Sequence, residues 1–210
     1  MNYSKITEWC HEIIRATAKR EGFYIDATMG KGNDTLLLCQ LAGACGHVLA
    51  FDIQEEALIQ TEMKLRTAGY PDTEIVQPEN EQNLREIHAE CEQGAQIRLV
   101  QTGHEHMDRY AEEESADVVC FNFGYLPGGD HNVATRAQTS IEAIGKGLRI
   151  LKRGGLMSLC IYSGGDTGFE EKEKILKYLK TISGQEYTVI VNEYYNRENN
   201  PPMPVFIYRR

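Results

Sequence analysis

Apolar and polar positions alternate along this chain with two periods, one helical and one extended, and the two take turns. Between Ser4 and Arg20, the apolar residues Ile6, Trp9, Cys10, Ile13 and Ile14 recur at helical spacing, which predicts a helix with Ser4 or Thr7 as candidate caps. A first short apolar run ends near Asp26, and a helix is expected from Asp34 to Ala42. A second strand over Val48 to Ile53 leads into a helix from Gln54 to Ala68. Pro71 to Gly94 is less regular and reads as a Pro-containing loop followed by an inserted helix over Glu81 to Gln93. Strands follow at Ile97 to Gln101 and Ala116 to Asn122, each short and continuously apolar, as in a parallel sheet covered on both faces.

Past a Gly/Pro-rich stretch, Gly124 to Asp130, a helix from Thr135 to Leu151 should stop at Lys152-Arg153-Gly154-Gly155, where glycine permits a left-handed turn. Leu156 to Tyr162 is the fifth strand, and Gly168 to Ile182 a polar-faced helix. The last two apolar runs, Tyr187 to Val191 and Pro204 to Tyr208, have no helix between them and should pair as an antiparallel hairpin. The pattern predicts an α/β fold, a doubly wound Rossmann-like sheet that is mostly parallel with a C-terminal antiparallel hairpin. With 210 residues and 41% hydrophobic content, a single domain over 1–210 is expected, with a helical insertion around 71–94.

Composition narrows the classes. The N-terminal stretch lacks the order of a signal peptide, and no apolar run is long enough to span a membrane, so a cytoplasmic location is expected. The six cysteines are scattered without a CxxC pair, which argues against zinc and for buried reduced thiols. A net charge of −9 argues against general coating of nucleic acid but leaves room for a local basic face.

The most informative stretch is Tyr24 to Thr35, a strand running into a glycine turn that opens a helix, followed by a strand that ends on Asp52. Gly30 and Gly32 let backbone approach a nucleotide-like ligand without a Cβ in the way. Asp52 lies about twenty residues further on, where a carboxylate meets ribose hydroxyls. A dinucleotide turn wants a third glycine, and Thr35 stands there instead. Asp26 before the turn would repel a pyrophosphate but suits the ammonium of a methionine moiety. Asp34 adds a second negative charge, or caps the following helix. The combination favours S-adenosylmethionine over a dinucleotide.

In such sheets the ligand sits beyond the carboxyl ends of the strands. Ile53 and Gln54 follow Asp52 there. His104 and Glu105 follow the third strand and suit contact with the adenine; a metal is not expected, because neighbouring residues of an extended loop diverge and no further ligands complete a set. After the fourth strand, Asn122 Oδ1 and the Phe123 carbonyl could accept both N–H bonds of an amino group, aiming its lone pair at a methyl donor. Tyr125 would stack on a planar base, an interaction of roughly 1–3 kcal/mol in single-stranded recognition. Asp130 and His131 are candidates for holding an ammonium and accepting its proton. The plainer alternative is that Gly124, Pro127, Gly128 and Gly129 only make a tight connection. The Lys and Glu residues between Glu170 and Lys180 read as a solvated helix face, and Lys146, Arg149, Lys152 and Arg153 as partners of a helix dipole.

The strings Asp26-Ala27-Thr28-Met29-Gly30-Lys31-Gly32-Asn33-Asp34-Thr35, Ala50-Phe51-Asp52-Ile53-Gln54, Gly103-His104-Glu105 and Asn122-Phe123-Gly124-Tyr125-Leu126-Pro127-Gly128-Gly129-Asp130 resemble the class I methyltransferase family known as "putative rRNA methylase". The resemblance spans essentially the whole chain, and departs from the family pattern at Lys31, where asparagine is usual, and in the length of Pro71 to Gly94. It implies an S-adenosylmethionine-dependent N-methyltransferase acting without metal on the 5-aminomethyl group of wobble uridine in tRNA. Catalytic roles would fall to Asn122, Tyr125, Asp130 and His131. Cofactor binding would fall to Asp26, Thr28, Gly30, Gly32, Asp34, Thr35, Asp52, Ile53, Gln54, His104, Glu105 and Asn122. Ribosomal RNA or a small-molecule amine as acceptor, and a non-catalytic cofactor-binding protein, remain the alternatives. A homodimer is an expectation on size alone, since so small and acidic a domain would need two subunits to cover an RNA stem-loop.

Overall fold

A computed structural model describes residues 5–77, 96–123, 136–162, 168–198 and 200–210. Among these, eight strands form one sheet in the order β3-β4-β2-β1-β5-β6-β8-β7. In chain order the elements are α1 (Ile6–Thr17), β1 (Phe23–Asp26), α2 (Asn33–Ala42), β2 (His47–Asp52), α3 (Glu55–Thr67), β3 (Glu74–Val76) and β4 (Gln96–Gln101). A 3-10 helix (His104–Arg109), β5 (Ala116–Phe123), α4 (Ala137–Ile150), β6 (Leu151–Ile161), α5 (Gly168–Leu179), β7 (Tyr187–Val191) and β8 (Met203–Arg209) complete the fold.

The pleat sorts the core into two layers. Tyr24, Val48, Ala50, Leu99, Val118 and Cys120 face one side, where they pack against Ile6, Cys10 and Ile14 of α1, Leu37 and Leu38 of α2, and Leu58 and Leu65 of α3. Ile25, Leu49, Phe51, Val119 and Phe121 face the other, against Met107 of the 3-10 helix, Ile144 and Leu148 of α4, and Ile175 and Leu179 of α5. Strands buried on both faces explain why their sequences read as unbroken apolar runs. From β1 the chain moves outward to β2, goes on to the edge strand β3 and returns to β4 between them, and it later winds the other way through β5 and β6. The reversal leaves a crevice between the carboxyl ends of β1 and β5, where a doubly wound sheet takes its ligand.

Several expectations are corrected. Glu74–Val76 forms an additional parallel strand against β4, so six strands, not five, run parallel before the hairpin. Its three residues are too few for any periodicity to show. Helix α4 stops at Ile150, and Leu151 already begins β6, so Gly154 does not end the helix. Instead the ladder with β5 shifts register between Ala116 and Val118, and Gly154 takes φ 78 in the extra length of β6. The N-cap of α1 is Lys5, with no side-chain cap bond; Thr7 lies inside the helix, and Ser4 falls outside the described residues. Cys10, Cys39, Cys120 and Cys160 are buried free thiols as expected, but Cys45 is disulfide-bonded. The helix expected over Glu81 to Gln93 lies outside the described residues. No helix among those described is long and apolar enough to cross a membrane.

Candidate active site

The turn after β1 is sewn to both neighbouring strands: Ala27 N donates to the Cys120 carbonyl at 2.9 Å and Met29 N to the Phe51 carbonyl at 3.0 Å. Gly30 and Gly32 both take positive φ, 48° and 69°. At Gly32 a Cβ would also lie 2.7 Å from Thr61 Oγ1 and Cγ2 of α3, so glycine is required there on two counts. Thr61 Oγ1 donates to the Gly30 carbonyl at 3.1 Å, which holds α3 against the turn. Gly32 is the N-cap of α2 and offers no side chain, so Asp34, in the first turn, does not cap the helix as anticipated.

Asp26 is fully buried. Its carboxyl accepts the Thr35 hydroxyl at 2.6 Å and Thr28 N at 3.1 Å. Burial, reinforced by the nearby Asp34 charge and opposed by these hydrogen bonds, pushes its pKa up to about 7. Its oxygens are turned into the loop, where they shape the turn and set the local field. Asp52 is positioned differently. Gly30 N donates to one of its oxygens at 3.1 Å and Gln54 N to the other at 2.9 Å. A carboxylate has about four lone-pair sites, which leaves acceptor capacity for two ribose hydroxyls. Burial raises its pKa, against the backbone N–H groups of Gln54, Gly30 and Ile53. The exposed Ile53 offers an apolar surface beside it.

Asn122, near the end of β5, faces the same side of the sheet as Asp26, because alternate residues of parallel strands share a face. Its backbone N–H donates to Thr28 Oγ1 at 2.6 Å. Its side-chain Nδ2 donates to Asp34, whose other oxygen meets His11 Nε2 of α1. The structure thus brings Asp26, Thr28, Gly30, Gly32, Asp34, Thr35, Asp52, Gln54 and Asn122 into one cluster at the β1/β5 crevice. Tyr125, Asp130 and His131 lie outside the described residues.

The segment after β4 is a 3-10 helix rather than an extended loop. His104 is buried there against Phe121 and Phe123, with ring centroids 6.0 and 6.2 Å away, and Nε2 has no hydrogen-bond partner. Burial lowers its pKa, against the Glu105 charge and a backbone bond with Ala27 that ties it to the glycine turn. Glu105 folds back over Gly103, and its carbonyl accepts from Lys146 Nζ of α4. Lys146 also pairs with Asp108 at 3.1 Å and Glu142 at 2.9 Å, so it pins the segment to α4 rather than serving the helix dipole. Among the described residues, no group of three or more His, Cys, Asp or Glu side chains could hold a metal ion. Sequence reasoning missed His11, whose only signal is a polar ring bordering the apolar stripe of α1, and Thr61.

The donor set fits S-adenosylmethionine: a glycine cradle with no room for a Cβ, a carboxylate at Asp52 with acceptor capacity left for hydroxyl donors, and buried negative charge near the turn for a cationic ligand. Comparison with known proteins agrees. The model of the family described as "Putative rRNA methylase" matches residues 48–208. A chloroplastic protein of Arabidopsis thaliana named tRNA (mnm(5)s(2)U34)-methyltransferase is 30% identical over 98% of this chain and 70% of its own length. A crystal structure described as a putative rRNA-methylase from Clostridium thermocellum is 35% identical, covers 100% of both chains and superposes with a TM-score of 0.86. A methyltransferase structure from Streptococcus mutans, solved with SAH, is 31% identical over 98% of both chains, with a TM-score of 0.78. The chain therefore belongs to the rRNA methylase family and is an S-adenosylmethionine-dependent RNA methyltransferase.

Proposed function

We propose that the acceptor is the 5-aminomethyl nitrogen of wobble uridine in tRNA. The observation that carries this reading is the Asn122 carboxamide, held at the mouth of the β1/β5 crevice by Thr28 and Asp34. With Nδ2 turned toward Asp34, Oδ1 is left to accept an N–H of an incoming amine, and the Phe123 carbonyl can accept a second. An amine so bound aims its lone pair at the donor methyl. S-adenosylmethionine supplies an electrophilic methyl on a sulfonium. The nitrogen–carbon bond forms as the carbon–sulfur bond breaks, S-adenosylhomocysteine leaves, and the nitrogen sheds a proton. Orientation of this kind contributes several kcal/mol, up to about 7–11 in well-aligned cases, and needs no metal.

The Arabidopsis relative's name supports the choice of tRNA. Asp130 as ammonium partner, His131 as proton acceptor and Tyr125 as stacking platform belong to the same reading, as do a single domain over 1–210 and a homodimer. The test is incubation of the protein with labelled S-adenosylmethionine and tRNA bearing 5-aminomethyluridine, followed by nucleoside mass spectrometry. Conversion to the methylaminomethyl nucleoside is expected. Label appearing in ribosomal RNA or in a small amine, with none in tRNA, overturns the proposal.

A further inference from the structure

The Asp34 carboxylate is shared by three elements that are far apart in the chain. Oδ1 meets His11 Nε2 from α1, and Oδ2 receives Asn122 Nδ2 from β5, while Asp34 itself sits in the first turn of α2. The His11 and Asp34 side chains are only 18% and 12% exposed. Such a pair is costly to withdraw from water unless each partner is satisfied. The fold does not require it: Ile6, Cys10 and Ile14 already seat α1, and Asp34 makes no cap bond for α2.

The chemistry of the amide shows what the pair achieves. A carboxylate only accepts hydrogen bonds, so Asn122 must present its NH2 to Asp34. The carboxamide is planar, and Oδ1 therefore lies on the edge turned away from Asp34. A carboxylate bound on one side only could rotate about its terminal torsion, which is broad. His11 occupies the other oxygen and removes that freedom.

Resting on the reading of Asn122 as the amine site, we propose that His11 is a positioning residue for methyl transfer. By clamping Asp34 it locks the Asn122 carboxamide with Oδ1 toward the acceptor nitrogen. His11 reaches Asn122 only through Asp34, so its loss should act on turnover rather than binding. His11→Ala is expected to lower kcat by about 10–100-fold, the scale of a small misplacement of reacting groups. KM for tRNA and Kd for S-adenosylmethionine should stay within about threefold. His11→Gln retains a donor for Asp34 and should recover kcat to within about fivefold of the parent.

A kcat for His11→Ala within about twofold of the parent, or a loss confined to KM, overturns the proposal. A second measurement does not depend on the acceptor. The Asn122 side-chain NH2 protons, followed by 15N NMR, should exchange about tenfold faster or more in His11→Ala, because the opening that permits exchange is no longer opposed by the clamp. Unchanged exchange in a folded variant also overturns it. If the parent protein methylates no tRNA, the substrate assignment fails on that result, while the NH2 exchange still decides the role of His11.

Discussion

Thr28 Oγ1 accepts the backbone N–H of Asn122 at 2.6 Å, joining the glycine turn to the end of a strand 94 residues away. This bond fixes the cofactor side of the crevice to the acceptor side. Thr28→Val keeps the shape but leaves that N–H without its acceptor, a loss of about 1–3 kcal/mol. The expected result is a lower melting temperature and a kcat reduced about tenfold or more, since the strand end that aims the amine is released. Thr28→Ser should restore both. Steady-state kinetics beside thermal denaturation would check this, and a fully active Thr28→Val would contradict it.

Asp52 is held by two backbone donors and keeps capacity for the ligand. Asp52→Ala should weaken S-adenosylmethionine and S-adenosylhomocysteine alike, by about 1.5–3 kcal/mol for lost bonds to a charged group, or roughly 10–100-fold in Kd. Isothermal titration with S-adenosylhomocysteine reads this without catalysis. Equal affinity in the variant would remove Asp52 from the ribose.

Asp26 makes binding and stability respond to pH in opposite directions. Its folded pKa, about 7, lies above the ordinary carboxyl value because of burial and the Asp34 charge. The group therefore contributes stability that is present at low pH and fades as pH rises through the folded value. A cationic ligand favours the ionised form and should release protons on binding near neutrality. Titrations in two buffers of different ionisation enthalpy should show that release, with affinity improving from about pH 6 to 8. Asp26→Asn should flatten the fall of the melting temperature as pH rises from the ordinary carboxyl range to about 7, and weaken cofactor binding. No proton release at pH 7 would refute the assignment.

Gly32→Ala tests the turn. The substitution meets positive φ and a Cβ position 2.7 Å from Thr61. The left-handed backbone alone costs about 1–2 kcal/mol for a residue with a Cβ, and the contact forces α3 away from the turn. Lower stability and at least tenfold weaker cofactor binding are expected. Adding Thr61→Ala should relieve the contact but not the backbone strain, so recovery should be partial. Complete recovery would show that the steric term dominates.

Much of this site is readable before folding because its residues obey local rules. The turn from Asp26 to Thr35 needs glycine for backbone reasons, and Asp52 sits at a spacing set by one strand–helix–strand unit. The order of α2, β2 and α3 follows from periodicity, with ends displaced by a residue or two. The errors have the opposite cause. Glu74–Val76 is a strand only because β4 lies beside it, and its three residues carry no period. Gly154 resembles a helix stop, yet the demand of β5 for a longer partner takes it into β6. Asp34 looks like a helix cap, and only proximity to His11 and Asn122 gives it another use.

By itself, the sequence determined the doubly wound sheet, the cofactor class and the strand ends that carry the site, because periodicity and turn chemistry act over a few residues. Only the tertiary structure decided which side chains share a face at the crevice. The bonds between His11 and Asp34, Asp34 and Asn122, and Thr28 and Asn122 cross elements 23, 88 and 94 residues apart. No local pattern encodes them. They arise because the pleat turns Asp26 and Asn122 to the face that α1 and α2 cover.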